Sequence, residues 1–274
     1  MSVAVLINGL QPTDRAHAVS MDDRGLQYGD GLFETALLTA GRIRYLEDHL
    51  QRLEAGCLRL AIPCPERATL LKELGQLTAG RGEGILKIIV TRGSGGRGYR
   101  PPERVAPTRI LALHPPLQNT ASPGTGIAMR WCETRLGRNP VLAGIKHLNR
   151  LEQVLAQAEW QDPAIEEGLM LDTEGEVVAA TSGNLFLVRE GVLCTSDLRY
   201  CGIRGVMRGR VIEAARSLGM PVEEQPLWPN DVDSASELFV TNAVRGVRPV
   251  VALGSATWPV GAVTARLATA LALW

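Results

Sequence analysis

Apolar positions recur along this chain at two spacings. Leu46, Leu50, Leu53, Cys57 and Leu60 follow a helical repeat, which predicts an amphipathic helix over 46–60. Pro63 and Pro65 end it, and a second helix is predicted at 66–79. Short apolar runs predict strands at 3–7, 33–39, 84–91, 108–113, 126–132, 168–172, 176–180, 184–188, 192–195 and 237–241. The first of these ends in Asn8-Gly9, a pair suited to a tight hairpin turn. Further helices are predicted at 148–160, 205–218 and 261–273. Pro115 to Gly126 is rich in Pro, Gly, Ser, Thr and Asn and reads as a linker. Strands and helices mix without strict alternation, which predicts an α+β protein of two domains. A small N-terminal α/β domain would span 1–115, a linker 116–125, and a larger C-terminal domain 126–274.

Composition narrows the function classes. The 274 residues are 45% hydrophobic and 21% charged, ordinary for a chain that buries a core. Zero net charge argues against a general binder of nucleic acid or anionic membrane. No apolar run approaches the roughly 20 residues of a membrane span, and the N-terminus lacks a secretory pattern. Five scattered cysteines, none in Cys-x-x-Cys spacing, exclude a zinc or disulfide framework and predict reduced thiols in the cytoplasm. The four histidines show no metal-ligand spacing. Of the 29 basic residues only Lys72, Lys87 and Lys146 are lysines, so an amine nucleophile has three candidates.

Four segments could carry chemistry. Arg24 to Glu34 places three glycines among charged residues before a strand: a tight backbone path near a ligand, or an ordinary turn. Arg92 to Tyr99 holds four glycines and two arginines, suited to an anion or to a plain surface loop. It lacks the Gly-Lys-Ser/Thr of a P-loop. Arg138 to Arg150 sets Lys146 among Leu, Ala, Gly and Ile before a helix. A desolvated amine is more readily neutral and can form a Schiff base, although lysines near helix starts also snorkel to water. Lys72 reads as a solvated helix residue; Lys87 alternates away from Leu86 and Ile88 in its strand and reads as an internal supporting cation. Finally, Cys201 to Arg208 opens a helix with a Gly-x-x-Gly turn whose N–H groups suit a phosphate.

Together and in this order, the segments resemble the fold-type IV family of pyridoxal-phosphate enzymes, the D-amino-acid aminotransferase-like fold. That family includes branched-chain and D-amino-acid aminotransferases and 4-amino-4-deoxychorismate lyase. The resemblance runs from Ile7-Asn8-Gly9 to Arg248-Pro249-Val250 and is nearest to the lyase branch. It is carried by Arg92 to Tyr99, Leu136-Gly137-Arg138-Asn139-Pro140 and the run from Ala143 to Leu155. It implies pyridoxal 5'-phosphate as cofactor and a small-molecule substrate. The implied reaction converts 4-amino-4-deoxychorismate to 4-aminobenzoate and pyruvate, a step of folate biosynthesis. Lys146 would hold the cofactor covalently and shuttle protons, and Thr35 would approach the substrate. Arg52, the backbone of Ile203 and Arg204, and Asn242-Ala243 would surround the cofactor phosphate. Arg97 and Tyr99 would bind substrate carboxylates. The resemblance also implies a homodimer with the cofactor between the domains, and no metal. An aminotransferase acting on D-amino acids or small amines, or a catalytically impaired cofactor-binding homologue, are the other members it allows.

One position departs from the pattern. The resemblance implies a glutamate five residues before the Asn of Asn184-Leu185-Phe186, to keep the cofactor's pyridine nitrogen protonated. This chain has Ala179 there. Glu176 is the nearest acid, on the opposite face of a regular strand unless a bulge intervenes.

Overall fold

The computed structural model describes residues 3–12, 18–117 and 126–272. Its chain divides into two compact units, Met1–Asn119 with Lys146–Asn149, and Thr120–Ile145 with Arg150–Trp274. Most of the predicted linker, 118–125, lies outside the described residues.

The first unit contains, in chain order, β1 (Ala4–Ile7), α1 (Arg24–Tyr28), β2 (Gly31–Thr39), β3 (Arg42–Ile43), α2 (Leu46–Leu60), α3 (Arg67–Thr78), β4 (Gly84–Thr91) and β5 (Thr108–His114). Its five-stranded antiparallel sheet runs β1-β5-β4-β2-β3. Alternation along β2 sorts the residues by face: Leu32, Glu34, Ala36 and Leu38 are buried, whereas Phe33, Thr35 and Leu37 are half-buried on the other side. In β4 the same alternation buries Leu86, Ile88 and Val90 and leaves Lys87 with the second set. The Asn8-Gly9 turn forms, both residues having positive φ, but it returns only to Leu10. The lasting partner of β1 is β5.

The second unit contains β6 (Ile127–Trp131), α4 (Leu151–Gln157), β7 (Ile165–Leu171), β8 (Val177–Ala180), β9 (Asn184–Arg189), β10 (Val192–Ser196), α5 (Val206–Ser217), β11 (Val222–Gln225), α6 (Pro229–Asp233), β12 (Glu237–Asn242), β13 (Gly246–Leu253), β14 (Ala256–Thr257) and α7 (Ala262–Ala272). Eight strands follow the order β11-β10-β9-β12-β13-β6-β7-β8, and β14 pairs with β13. The core is a continuous cluster that includes Ile127, Leu169, Val177, Leu187, Leu238, Val240 and Val250. Phe186 and Phe239 lie opposite each other across β9 and β12 and stack with centroids 5.0 Å apart. Among the described residues no helix is long and apolar enough to cross a membrane.

Two elements differ from the sequence pattern for physical reasons. The helix predicted at 148–160 starts only at Leu151, because His147 bridges Leu32 and the Leu148 N–H donates to the Gly31 carbonyl. Residues 146–149 are therefore used as sheet backbone, and they pack with the first unit although both flanking segments belong to the second. Strand β13 was masked in the sequence by Pro249. The ladder with β6 begins one residue later, at Val250, so the missing N–H breaks no rung there.

Phe186 has no exposed surface and no room to relax. Phe186→Ala should destabilise the protein by about 3–5 kcal/mol, read as a fall in the urea midpoint without a change of slope.

Candidate functional site

Lys146 is placed by backbone hydrogen bonds. The Phe33 N–H donates to the Lys146 carbonyl at 3.0 Å, and the Leu148 N–H donates to the Gly31 carbonyl at 3.0 Å. Asn149 adds an Nδ2 donor to the Gly29 carbonyl at 3.1 Å. Gly29 must be glycine here: its φ is +66°, and a Cβ would lie 2.5 Å from Asn149 Oδ1. These bonds present the Lys146 side chain on the half-buried face of β2. Its Nζ lies 4.2 Å from the centroid of the Phe33 ring, and Lys87 Nζ lies 5.6 Å from the same centroid. Thr35 is the register partner of Lys87 and shares that face. Three residues singled out in the sequence, Lys146, Thr35 and Lys87, thus come together in the first unit.

Arg52 is built from the opposite face of β2. Glu34, 1% exposed, accepts from Arg52 Nε at 2.8 Å, Arg52 Nη2 at 2.5 Å and His49 Nδ1 at 2.7 Å. Burial pushes the Glu34 carboxyl up, but the Arg52 charge and the hydrogen bonds from His49 and Arg52 outweigh it and hold it below the ordinary glutamate range. Two N–H groups of Arg52 are thereby committed to a carboxylate, which fixes the guanidinium plane. Glu34 and His49 were missed in the sequence. The available signal was a glutamate on the apolar parity of β2, a position that requires a partner.

Arg97 and Tyr99 lie on the exposed loop after β4, with Tyr99 85% exposed. The ring of Tyr28 meets that of Tyr99 edge to face at 5.4 Å.

In the second unit, Ile203 and Asn242 meet the Ser182–Asn184 turn, and Arg204 lies against Gly144. Asn184 Nδ2 donates to the Ile203 carbonyl at 2.9 Å, and Asn242 Nδ2 donates to the Ser182 carbonyl at 3.2 Å. The Asn242 side-chain oxygen accepts from the N–H groups of Val244 and Arg245, which shapes the turn containing Ala243. The Arg204 N–H donates to the Gly144 carbonyl at 3.1 Å. The first-turn N–H groups of α5 point out of the helix start without a side-chain partner at the N-cap. Its N-cap, Gly205, offers no side-chain cap, and a Cβ there would sit 2.2 Å from Asn184 Oδ1.

Position 179 has a resolved environment. Strand β8 carries a bulge: Met170 pairs with Ala179, but Leu171 pairs with Val177. Val178 and Ala179 consequently share one apolar cluster with Cys132, Leu136, Met170, Leu198 and Cys201, while Val177 and Ala180 join the other. The bulge brings Glu176 to the face of residue 179, yet its carboxylate is held 2.9 Å from Arg138 Nη2 and 3.5 Å from Arg199 Nη2. Glu167, the other buried acid nearby in sequence, accepts from Thr181 Oγ1 at 2.5 Å and from Ser182. Among the described residues no group of His, Cys, Asp and Glu could hold a metal ion.

A family model described as amino-transferase class IV matches residues 31–253. The chain belongs to this family. Class IV membership agrees with the two sheets found here, and the architecture is fold type IV. The class IV chain is 35% identical over 266 residues to an aminodeoxychorismate lyase from Vibrio harveyi, covering 95% of this chain and 97% of the relative. It is 31% identical over 250 residues to a putative branched-chain-amino-acid aminotransferase from Methanocaldococcus jannaschii, covering 90% and 86%. The crystal structure of 4-amino-4-deoxychorismate lyase from Pseudomonas aeruginosa superposes with a TM-score of 0.92 at 46% identity, covering 97% of each chain.

The Glu34 site has a pH signature. A carboxyl held below its unfolded value contributes stability that is present above the unfolded pKa and lost as pH falls through the folded pKa. Glu34→Gln should lose about 3–5 kcal/mol at neutral pH and show a flatter decline on acidification than wild type. Urea midpoints measured from pH 7 to pH 3 check both; parallel declines would refute the assignment.

Proposed function

We propose that this enzyme is a pyridoxal-phosphate-dependent lyase that converts 4-amino-4-deoxychorismate to 4-aminobenzoate and pyruvate, supplying a folate precursor. The observation that carries it is the Lys146 amine held over Phe33 beside Thr35 and Lys87. Full-length similarity to two lyases, one at 46% identity, supports the choice of reaction.

The residues present fit the cofactor. An uncapped α5 start, backed by Asn184 where a Cβ would not fit, suits a phosphate. In the second unit, Ile203, Asn242 and Ala243 would lie beside that phosphate. In the first unit, Arg52, held by Glu34, would offer a guanidinium and Lys146 the amine for covalent attachment. When bound, the cofactor supplies an electron sink for charge developing beside the substrate nitrogen. Lys146 Nζ takes the proton from the ring carbon that bears the substrate amine. The enolpyruvyl group leaves from the adjacent carbon with its C–O electron pair, the ring becomes aromatic, and the released enolate takes up a proton at its methylene carbon to give pyruvate. Thr35 and Lys87, on the same face, orient the substrate; Arg97 and Tyr99 grip its carboxylates. The enzyme acts as a homodimer in the cytoplasm, a reading supported by five free thiols and by the outward apolar side chains Leu151, Val154 and Leu155 of α4.

Ala179 bears on the choice between lyase and aminotransferase. With Glu176 committed to two arginines, the side chains described around position 179 offer no uncommitted carboxylate to a pyridine nitrogen. Aromatisation supplies driving force, so the lyase tolerates a weaker electron sink than an aminotransferase.

Incubation with aminodeoxychorismate should release 4-aminobenzoate, while D-alanine should leave the cofactor absorption unchanged. Cofactor-loaded protein that releases none would sink the lyase assignment, and bleaching by D-alanine would favour an aminotransferase. Borohydride reduction followed by peptide mapping should place the cofactor on Lys146, and Lys146→Ala should lower turnover by about 10²–10⁴-fold. Ala179→Glu should shift the absorption of the bound cofactor and raise any half-reaction with D-alanine more than it raises lyase turnover. Equal gains in both would show that the lyase step needs the same protonated ring.

A further inference from the structure

The loop carrying Arg97 and Tyr99 is tied down at its base by backbone. The Arg24 N–H donates to the Gly93 carbonyl at 2.9 Å, and the Gly95 N–H donates to the Asp22 carbonyl at 3.1 Å. Asp23 braces the same base, accepting from Thr91 Oγ1 at 2.9 Å and Thr108 Oγ1 at 2.7 Å. Beyond Gly95 the loop is exposed through Arg100. Its outer part meets the Tyr28 ring through Tyr99 and is hydrogen-bonded by the Arg24 side chain. Arg24 Nη1 donates to the Gly98 carbonyl and Nη2 to the Tyr99 carbonyl, each at 2.9 Å.

Arg24 is itself immobile. It is 3% exposed, its Nε donates to Asp30 Oδ2 at 2.9 Å, and its guanidinium stacks 4.8 Å from the Tyr28 ring centroid. Asp30 is fixed in turn by Arg92, through Nε at 2.7 Å and Nη2 at 3.0 Å. Arg92 also caps the end of α2, donating to the carbonyls of Ala61 at 2.7 Å and Leu60 at 2.8 Å. Each nitrogen of the Arg24 fork is therefore spent on a protein acceptor. This arrangement suits a strut and leaves the fork unsuited to gripping a substrate carboxylate.

We propose that Arg24 is a positioning residue: it fixes the carbonyls of Gly98 and Tyr99 and thereby the aim of the Arg97 and Tyr99 side chains, so that it governs substrate affinity and leaves the proton-transfer chemistry alone. The proposal rests on the lyase reading for its kinetic arm only. A lysine at position 24 keeps the charge for Asp30, but its single ammonium cannot span Asp30 and two successive carbonyls.

The test uses the cofactor-loaded enzyme and Arg24→Lys. Hydrogen–deuterium exchange at amides 97–100 should speed up by about tenfold or more, with β4 and α2 protected as in wild type. The KM for aminodeoxychorismate should rise about tenfold with kcat within a factor of about two, and cofactor absorption should stay the same. Combined with Arg97→Ala, the rise in KM should fall short of the product of the two single effects. Unchanged loop exchange, a kcat loss at constant KM, or multiplicative effects in the double variant would each overturn the proposal. So would loss of protection across β4, or failure to fold, which would assign Arg24 to general stability. Should wild type release no 4-aminobenzoate, the lyase reading falls, and loop exchange alone decides the role of Arg24.

Discussion

A peptide group taken out of water needs a partner, and that requirement determines where the amine of this enzyme sits. The hydrogen bonds joining Gly31 and Phe33 to Lys146 and Leu148 are ordinary backbone bonds. They set the chain direction at residue 146, and chain direction sets the face on which the side chain emerges. Phe33, Thr35 and Lys87 share that face by alternation alone, and Glu34, one residue away, is delivered to the other side for Arg52. One strand thus places the Lys146 amine on one face and the Glu34–Arg52 pair on the other, because its side chains alternate and its backbone has a hydrogen-bonding position to spare.

The interior electrostatics explain how few lysines the fold needs. The half-buried Asp30 and the buried Glu34, Glu73 and Asp172 are each answered by an arginine. A planar fork can satisfy two oxygens, or an oxygen and a carbonyl, at fixed angles, and it remains charged when partly desolvated. An ammonium in those places would leave donors or acceptors unmatched. Arginine takes the structural charges, and the half-buried face of β2 and β4 carries both Lys87 and Lys146.

Much of this was legible in the sequence. The repeat of Leu46, Leu50, Leu53, Cys57 and Leu60 marked α2 to the residue, because one face of it is buried and nothing else competes for its backbone. The amine was legible from scarcity and neighbours. The start of α4 was not, since Lys146 to Asn149 have helix-compatible side chains but spend their backbone on a distant strand. The bond from the Arg204 amide to Gly144 was not legible either, since it joins two loops 60 residues apart. The bulge at Val178 was legible as a possibility, and the fate of Glu176 was not, because Arg138 and Arg199 reach it from separate parts of the chain. Arg24 and Asp30 stood in a segment noted for its glycines, which drew attention to the backbone and away from the ion pair.

The discontinuous make-up of the first unit has a consequence for synthesis. Its sheet is encoded before residue 115, but its last four residues are encoded after the first strand of the second unit. During translation at about 5–20 residues per second, the sheet, the Glu34–Arg52 pair and the Arg24 strut can form while the amine is still inside the ribosome. The nascent protein therefore passes through a stage that has a near-complete first unit without Lys146. The unit is completed only when a short stretch of late chain docks onto an early strand.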